Sequence, residues 1–146
     1  MLLAVVLPTG HGKSTTHGTI PGVYDAGELV VSKSHLKLIR KQARQTHMWE
    51  HHDAWWSDQI KTNLPADCVV LMVPSLQLAE ACGISMIITI LLPDDLICST
   101  LVTRPKSGIH NALANKREEE RRGHNVVYAR NYDNITDIIR LLAFAP

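Results

Sequence analysis

Leu2-Leu3-Ala4-Val5-Val6-Leu7-Pro8-Thr9-Gly10-His11-Gly12-Lys13-Ser14-Thr15 is the stretch that decides the fold. Its apolar run, residues 2 to 7, reads as a strand buried on both faces. The run passes directly into a glycine turn closed by Lys-Ser. Strand, glycine-rich turn, then Lys-Ser is the sequence of a phosphate-binding loop. Glycines at 10 and 12 let backbone N–H groups close around phosphate oxygens with no Cβ in the way. A helix beginning near Lys13 adds its positive N-terminal end. Thr9, Gly10, His11, Gly12, Lys13, Ser14 and Thr15 are therefore the candidate nucleotide-binding residues. Lys13 is placed to reach the β- and γ-phosphates, and Ser14 to ligate Mg²⁺. In the pattern G-x-x-x-x-G-K-[ST] the first glycine falls at Leu7.

Outward from the loop, buried-strand signals alternate with helical ones. Gly18 and Pro21-Gly22 end the first helix early. A second strand lies at Val23-Tyr24-Asp25 or at Leu29-Val30-Val31. Residues 32 to 60 are polar and helix-prone, with Leu36, Ile39, Ala43 and His47 at helical spacing. Cys68 to Val73 is another apolar strand, followed by Ser75 as the cap of a helix over residues 76 to 81. Ile84 to Leu92 is a further strand, and Pro93-Asp94-Asp95 opens a helix. Arg104 to Gly108 reads as a loop, and Ile109 to Arg122 as a charged helix stopped by Gly123. Val126 to Ala129 is a short strand, and Asn134 caps a final helix bearing Ile135, Ile138, Ile139, Leu141 and Leu142. This alternation predicts an α/β fold, an open parallel sheet with helices on both faces. Ligand then binds at the carboxyl ends of the strands, where the glycine turn sits.

The chain has 146 residues, enough for one domain spanning residues 1 to 146 with a sizeable core. The start directly on a strand is also compatible with a domain excised from a longer polypeptide. The formal net charge of +1 argues neither for nor against nucleic acid, so local clustering must decide. Cys68, Cys82 and Cys98 sit in or beside apolar runs and read as buried free thiols of a reducing compartment. No apolar run approaches the roughly 18 residues of a membrane span. These features together predict an intracellular, cytoplasmic protein that does not partner a membrane.

With Gly10 to Thr15 at one end and the tail at the other, the chain resembles the P-loop kinases of nucleosides, nucleotides and polynucleotide 5′ ends. The tail that carries the resemblance runs from an apolar strand and Leu92-Pro93 through Arg104 and a charged helix to Val126-Val127-Tyr128-Ala129-Arg130-Asn131 and a last helix. Pro8-Thr9-Gly10-His11-Gly12-Lys13 also resembles the first motif of helicases. The kinase resemblance implies a P-loop NTPase fold of five parallel strands with the loop strand in the middle. It implies ATP and Mg²⁺ as cofactors, and a nucleic-acid end or nucleotide as acceptor. Such kinases carry an aspartate after the second strand as general base, which here is Asp25, twelve residues after Lys13, with Glu28 as the fallback. Arginines of a lid close over the triphosphate in that family. The candidates are Arg104, Arg117, Arg121 and Arg122, whose planar forks suit phosphoryl oxygens. The alternative for the three helical ones is a solvated face that pairs with its own glutamates. The Cys68 to Val73 strand has no aspartate at its carboxyl end, which helicases rely on.

Thr46 to Trp56 holds all three tryptophans and three of the eight histidines. It falls where these kinases bind their acceptor. Trp49, Trp55 and Trp56 are candidate stacking rings for bases. Upstream, Arg40 and Arg44, with Lys33, Lys37 and Lys41, form a basic helix face suited to a phosphate backbone. The competing reading packs the tryptophans on the core or a partner subunit. His47 and His51, one helical turn apart, with Asp53 offer donor atoms for zinc but lack a surrounding ligand framework. Two further functions compete with phosphoryl transfer. One is an NTP-hydrolysing module of helicase or packaging type. The other is an NTP-binding domain with weakened catalysis inside a larger, viral or multidomain protein.

Overall fold

A computed structural model describes residues 2 to 11, 19 to 102 and 106 to 144. Gly12, Lys13, Ser14, Thr15 and Arg104 lie outside the described residues, as does the start of the helix expected near Lys13. The described elements are β1 (Leu3–Val6), β2 (Val23–Asp25), a 3-10 turn (Ala26–Leu29), α1 (Lys33–Thr46), α2 (Glu50–Asn63), β3 (Val70–Val73), α3 (Leu76–Ala81), β4 (Met86–Leu91), α4 (Asp94–Thr100), α5 (Lys106–Arg122), β5 (Val126–Tyr128) and α6 (Tyr132–Phe144). The strands form one five-stranded sheet in the order β2-β3-β1-β4-β5. Every neighbouring pair runs parallel.

The centre of the sheet is β1, so the loop strand has a neighbour on each side. Its four residues are apolar because both faces are covered. Ala4 and Val6 join a core with Leu36 and Ile39 of α1, Trp56 and Ile60 of α2, and Leu78 of α3. Val5 and Leu7 join the opposite core with Ile97 of α4, Ala112 of α5, and Ile135 and Ile139 of α6. Adjacent residues of a strand point to opposite faces, which is why one short run feeds two cores. From β1 the chain leaves toward β2, and from β4 toward β5. The carboxyl ends of β1 and β4 therefore flank a topological switch point, where open α/β sheets form their crevice.

Local chemistry set several boundaries differently from the sequence expectation. Of the two places expected for the second strand, Val23–Asp25 is the strand, whereas Leu29 ends the 3-10 turn and its carbonyl accepts from Asn63 Nδ2 at 2.8 Å. His47 does not continue a helical face: it sits at φ 57 and ends α1 as a left-handed cap. Residues 106 to 108 are helical rather than loop, so α5 begins before Ile109. Asn131, not Asn134, caps the last helix, its Oδ1 accepting from Asn134 N–H at 2.8 Å. The Asn134 side chain reaches back to Arg130 N–H at 2.9 Å, a reciprocal arrangement of the capping-box kind. Ser75 caps α3 as expected, accepting from Leu78 N–H at 3.1 Å.

Candidate functional site

The turn that leaves β1 is fixed from four directions. Leu7 N–H donates to Val73 O of β3 at 2.8 Å. Tyr132 of α6 donates its hydroxyl to Gly10 O at 2.6 Å. Asn115 of α5 donates to Thr9 Oγ1 at 3.2 Å. His11, fully buried, accepts from Leu92 N–H at the end of β4 through Nε2 at 3.1 Å. Accepting there requires a bare Nε2, so the ring carries its proton on Nδ1, which stands 3.3 Å from Thr9 O. Gly10 lies at φ 86, and a Cβ there would stand 3.3 Å from Leu101 Cδ1. Glycine is thus required twice, by backbone conformation and by the close approach of α4. The His11 ring, a candidate nucleotide contact by sequence, is committed to tying the turn to β4.

Thr9, Gly10 and His11 line a cavity of about 1130 Å³. Its other walls come from Asp25, from Arg40 and Arg44 of α1, from Trp49, His52, Asp53 and Trp56, and from Glu119 and Arg122 of α5. Asp25 ends β2 and is 6% exposed; its Oδ1 accepts from Gly27 N–H at 3.0 Å and so caps the 3-10 turn. Burial, and then the Arg44 charge, press the Arg40 pKa below the ordinary arginine value. The Arg40 guanidinium lies 5.3 Å from the centre of the Trp56 ring.

The tryptophans divide. Trp56 is 2% exposed and donates Nε1–H to Ala26 O at 3.0 Å, so it is a core residue with no open face for a base. Trp55 is not among the residues that line the cavity; it packs against the core cluster that includes Leu36 and Ile39 and meets His35 edge-on at 4.7 Å between centroids. Trp49 is half-buried and lines the cavity. His52, at 5% exposure, lies between Trp49 and Trp56, with ring centroids 5.0 and 5.4 Å away. Its Nδ1 stands 2.9 Å from Asp53 Oδ1. Among the described residues its Nε2, which is buried, finds no hydrogen-bond partner. Among the described residues no group of three His, Cys, Asp or Glu side chains could hold a metal ion, so His47, His51 and Asp53 are not assembled as ligands.

The α5 arginines are mostly engaged elsewhere. Arg117 Nη2 approaches Asp94 Oδ2 at 3.4 Å, while Lys116 Nζ holds Oδ1 of the same carboxylate at 2.6 Å. Those contacts, the Lys116 hydrogen bond first, hold the Asp94 carboxyl below its usual range. Arg121 pairs with Glu118 at 2.6 Å and is well exposed. Arg122 Nε also meets Glu118 Oε1, at 2.7 Å, and among the described arginines of α5 it alone lines the cavity. Glu119 was not legible as a site residue within its acidic run. It is 5% exposed, and its Oε2 accepts from Leu76 N–H at 2.9 Å, helping Ser75 satisfy the start of α3. Burial, outweighing that hydrogen bond, pushes its pKa up. Helical spacing of Ala112, Lys116 and Glu119, all buried, was the signal that marks Glu119 as inward. Trp49, His52, Asp53, Trp56 and Ile60 repeat at helical spacing too, which singles out His52.

The three cysteines are free and half-buried, and burial raises Cys68 and Cys82 to about 11, so both stay neutral thiols. No helix among the described residues is long and apolar enough to cross a membrane. No protein-family model matches the chain, and no curated protein matches it.

Proposed function

We propose that this chain is an ATP-dependent phosphotransferase with a P-loop kinase fold, moving a γ-phosphate to a hydroxyl or phosphate of a nucleic-acid 5′ end or nucleotide. One observation carries the reading. The turn Pro8 to His11, which begins the Gly-x-Gly-Lys-Ser-Thr sequence, leaves the central strand of a parallel sheet and lines a cavity that also holds Asp25, Arg40 and Arg44. The described base of the turn fits a phosphate-binding role, since it is anchored on all sides and bends at a glycine. Lys13 then holds the transferring phosphate, and Ser14 would hold Mg²⁺, which neutralises phosphate charge when bound. Asp25 takes the proton of the acceptor hydroxyl. Arg40 and Arg44 hold the acceptor's own phosphate.

Incubation with γ-labelled ATP and a panel of nucleosides, nucleotides and 5′-hydroxyl oligonucleotides tests this directly. Label in an acceptor is the expected result. Lys13→Ala is expected to abolish nucleotide binding with the fold intact; equal ATP affinity of wild type and variant by calorimetry would refute the phosphate-loop assignment. A hydrolytic reading gains one observation. Glu119 brings a carboxylate into the cavity beside Pro74 and Ser75, where β3 itself ends without one. Release of free phosphate with no labelled acceptor would favour that reading.

A further inference from the structure

The cavity lining contains an unmet hydrogen-bonding group. His52 Nε2 is buried without a partner among the described residues, although the residue lines a cavity large enough for a nucleotide. Buried polar atoms are nearly always satisfied, and an orphan points to a ligand that completes it. The Asp53 carboxylate at Nδ1 is an acceptor, so Nδ1 carries the proton and donates to it. In the neutral ring this leaves Nε2 as a bare acceptor. The partner that a neutral ring lacks at Nε2 is a donor.

The neighbours of His52 say which donor. A chain of ring contacts runs Trp49, His52, Trp56, Arg40, with steps of 5.0, 5.4 and 5.3 Å. Arg44 follows Arg40 by one helical turn and lines the same cavity. Among the described residues Arg44 has no carboxylate partner, and Arg40 has the Trp56 ring. Like charges at this spacing repel, and an anion between them removes the repulsion. With the enclosed Trp56 ring between His52 and Arg40, the wall holds an aromatic ring, a hydrogen-bond acceptor and a cation pair in that order. A nucleotide presents a base, a sugar hydroxyl and a phosphate in that order. DNA lacks one of those hydroxyls, the 2′-OH, which lies next to the 3′-phosphate.

We infer that His52, oriented by Asp53, accepts a hydrogen bond from the ribose 2′-hydroxyl of the acceptor, and that the site selects ribonucleotides over deoxyribonucleotides. The inference rests on the phosphotransferase reading for the place of the acceptor. His52 is a specificity residue and moves no proton: the 2′-hydroxyl keeps its hydrogen, and Asp25 remains the base for the reacting group.

The test uses adenosine 3′-monophosphate and its 2′-deoxy counterpart as probes, with affinities by calorimetry. Wild type is expected to bind the ribo probe about tenfold or more tightly, the scale of one donor matched to one buried acceptor. His52→Phe is expected to abolish that ratio, and His52→Gln, which restores an acceptor, to recover part of it. A ratio unchanged in His52→Phe overturns the inference, as does equal binding of the two probes by wild type. Should the Phe variant fail to fold, the His52 Nε2 resonance of ¹⁵N-histidine-labelled wild type decides. It must shift with the ribo probe and stay with the deoxy probe, and an Nε2 signal indifferent to both overturns the proposal. A non-hydrolysable ATP analogue is titrated into the same samples. Loss of analogue binding with the ribo preference intact condemns the phosphotransferase reading and leaves the His52 subsite standing; the reverse pattern does the opposite.

Discussion

Asp25 caps the 3-10 turn through Oδ1, so a variant that probes its charge must keep the cap. Asparagine does, because its side-chain oxygen accepts from the same Gly27 N–H and ranks with aspartate as a capping residue. Asp25→Asn is therefore expected to fold normally and bind ATP nearly as wild type. Transfer to the acceptor is expected to fall by about 10²-fold or more, the usual scale for loss of a general base. Transfer at the wild-type rate would reduce Asp25 to a turn residue. Trp56 calls for the opposite expectation. Its ring is buried, hydrogen-bonded to Ala26 O and covered by Arg40 and His52, so Trp56→Ala is expected to cost about 3–5 kcal/mol of stability. Urea unfolding measures this. A variant as stable as wild type would place the ring outside the core.

At the scale of elements, most strands were legible because both cores need continuous apolar runs, while the central place of β1 was implied by the kinase resemblance and not by the runs. Leu3–Val6, Val70–Val73 and Met86–Leu91 announce themselves in any window. The helix ends were less legible. Asn131 and Asn134 can each cap a helix, and only the fold shows that Asn131 does so while Asn134 reaches back. The site was half legible. The glycine turn follows from residue types, but burial of a charged residue on α5 does not. Lys116 and Glu119 look like members of a solvated face until Ala112 is seen to turn that face inward. Their two ion sites give a paired expectation in pH. The Asp94 carboxyl is held low by Lys116, so its contribution is present above the unfolded aspartate value, about 3.9. It is lost as pH falls through the lower folded value. Glu119 is shifted up by burial, so its contribution is full below the unfolded glutamate value, about 4.3. It is lost as pH rises through the higher folded value. Asp94→Asn should therefore lose stability relative to wild type near neutrality, with the gap closing in acid. Glu119→Gln, which keeps an acceptor for Leu76 N–H, should gain on wild type as pH rises above the glutamate range. Parallel urea titrations across pH check both signs, and a gap of constant size in either variant would refute its assignment.

On the proposed phosphotransferase reading, the molecule as a whole poses a choice between a small acceptor and a polymer, and the basic face of α1 is where they differ. Leu36, Ile39 and Ala43 turn that helix onto the core. Lys37, Lys41 and Arg44 are left exposed, while Lys33 is held by Glu28 at 2.8 Å. A polynucleotide that enters the cavity at Arg40 and Arg44 can continue along the exposed lysines, releasing counterions at each phosphate it meets. A mononucleotide reaches only the cavity wall. Binding of a short single-stranded oligoribonucleotide, followed through Trp49 fluorescence, is therefore expected to weaken steeply with salt. Lys37→Ala and Lys41→Ala are each expected to lower the slope of log affinity against log salt by about one, with little change for adenosine 3′-monophosphate. Trp49 is the ring to watch because Trp56 is enclosed and Trp55 lies off the cavity. Trp49→Ala should cost about 1–3 kcal/mol of oligonucleotide affinity if the ring stacks on a base. A slope that ignores both lysines, with mononucleotide and oligonucleotide bound equally well, would confine the acceptor to the cavity and make it a single nucleotide.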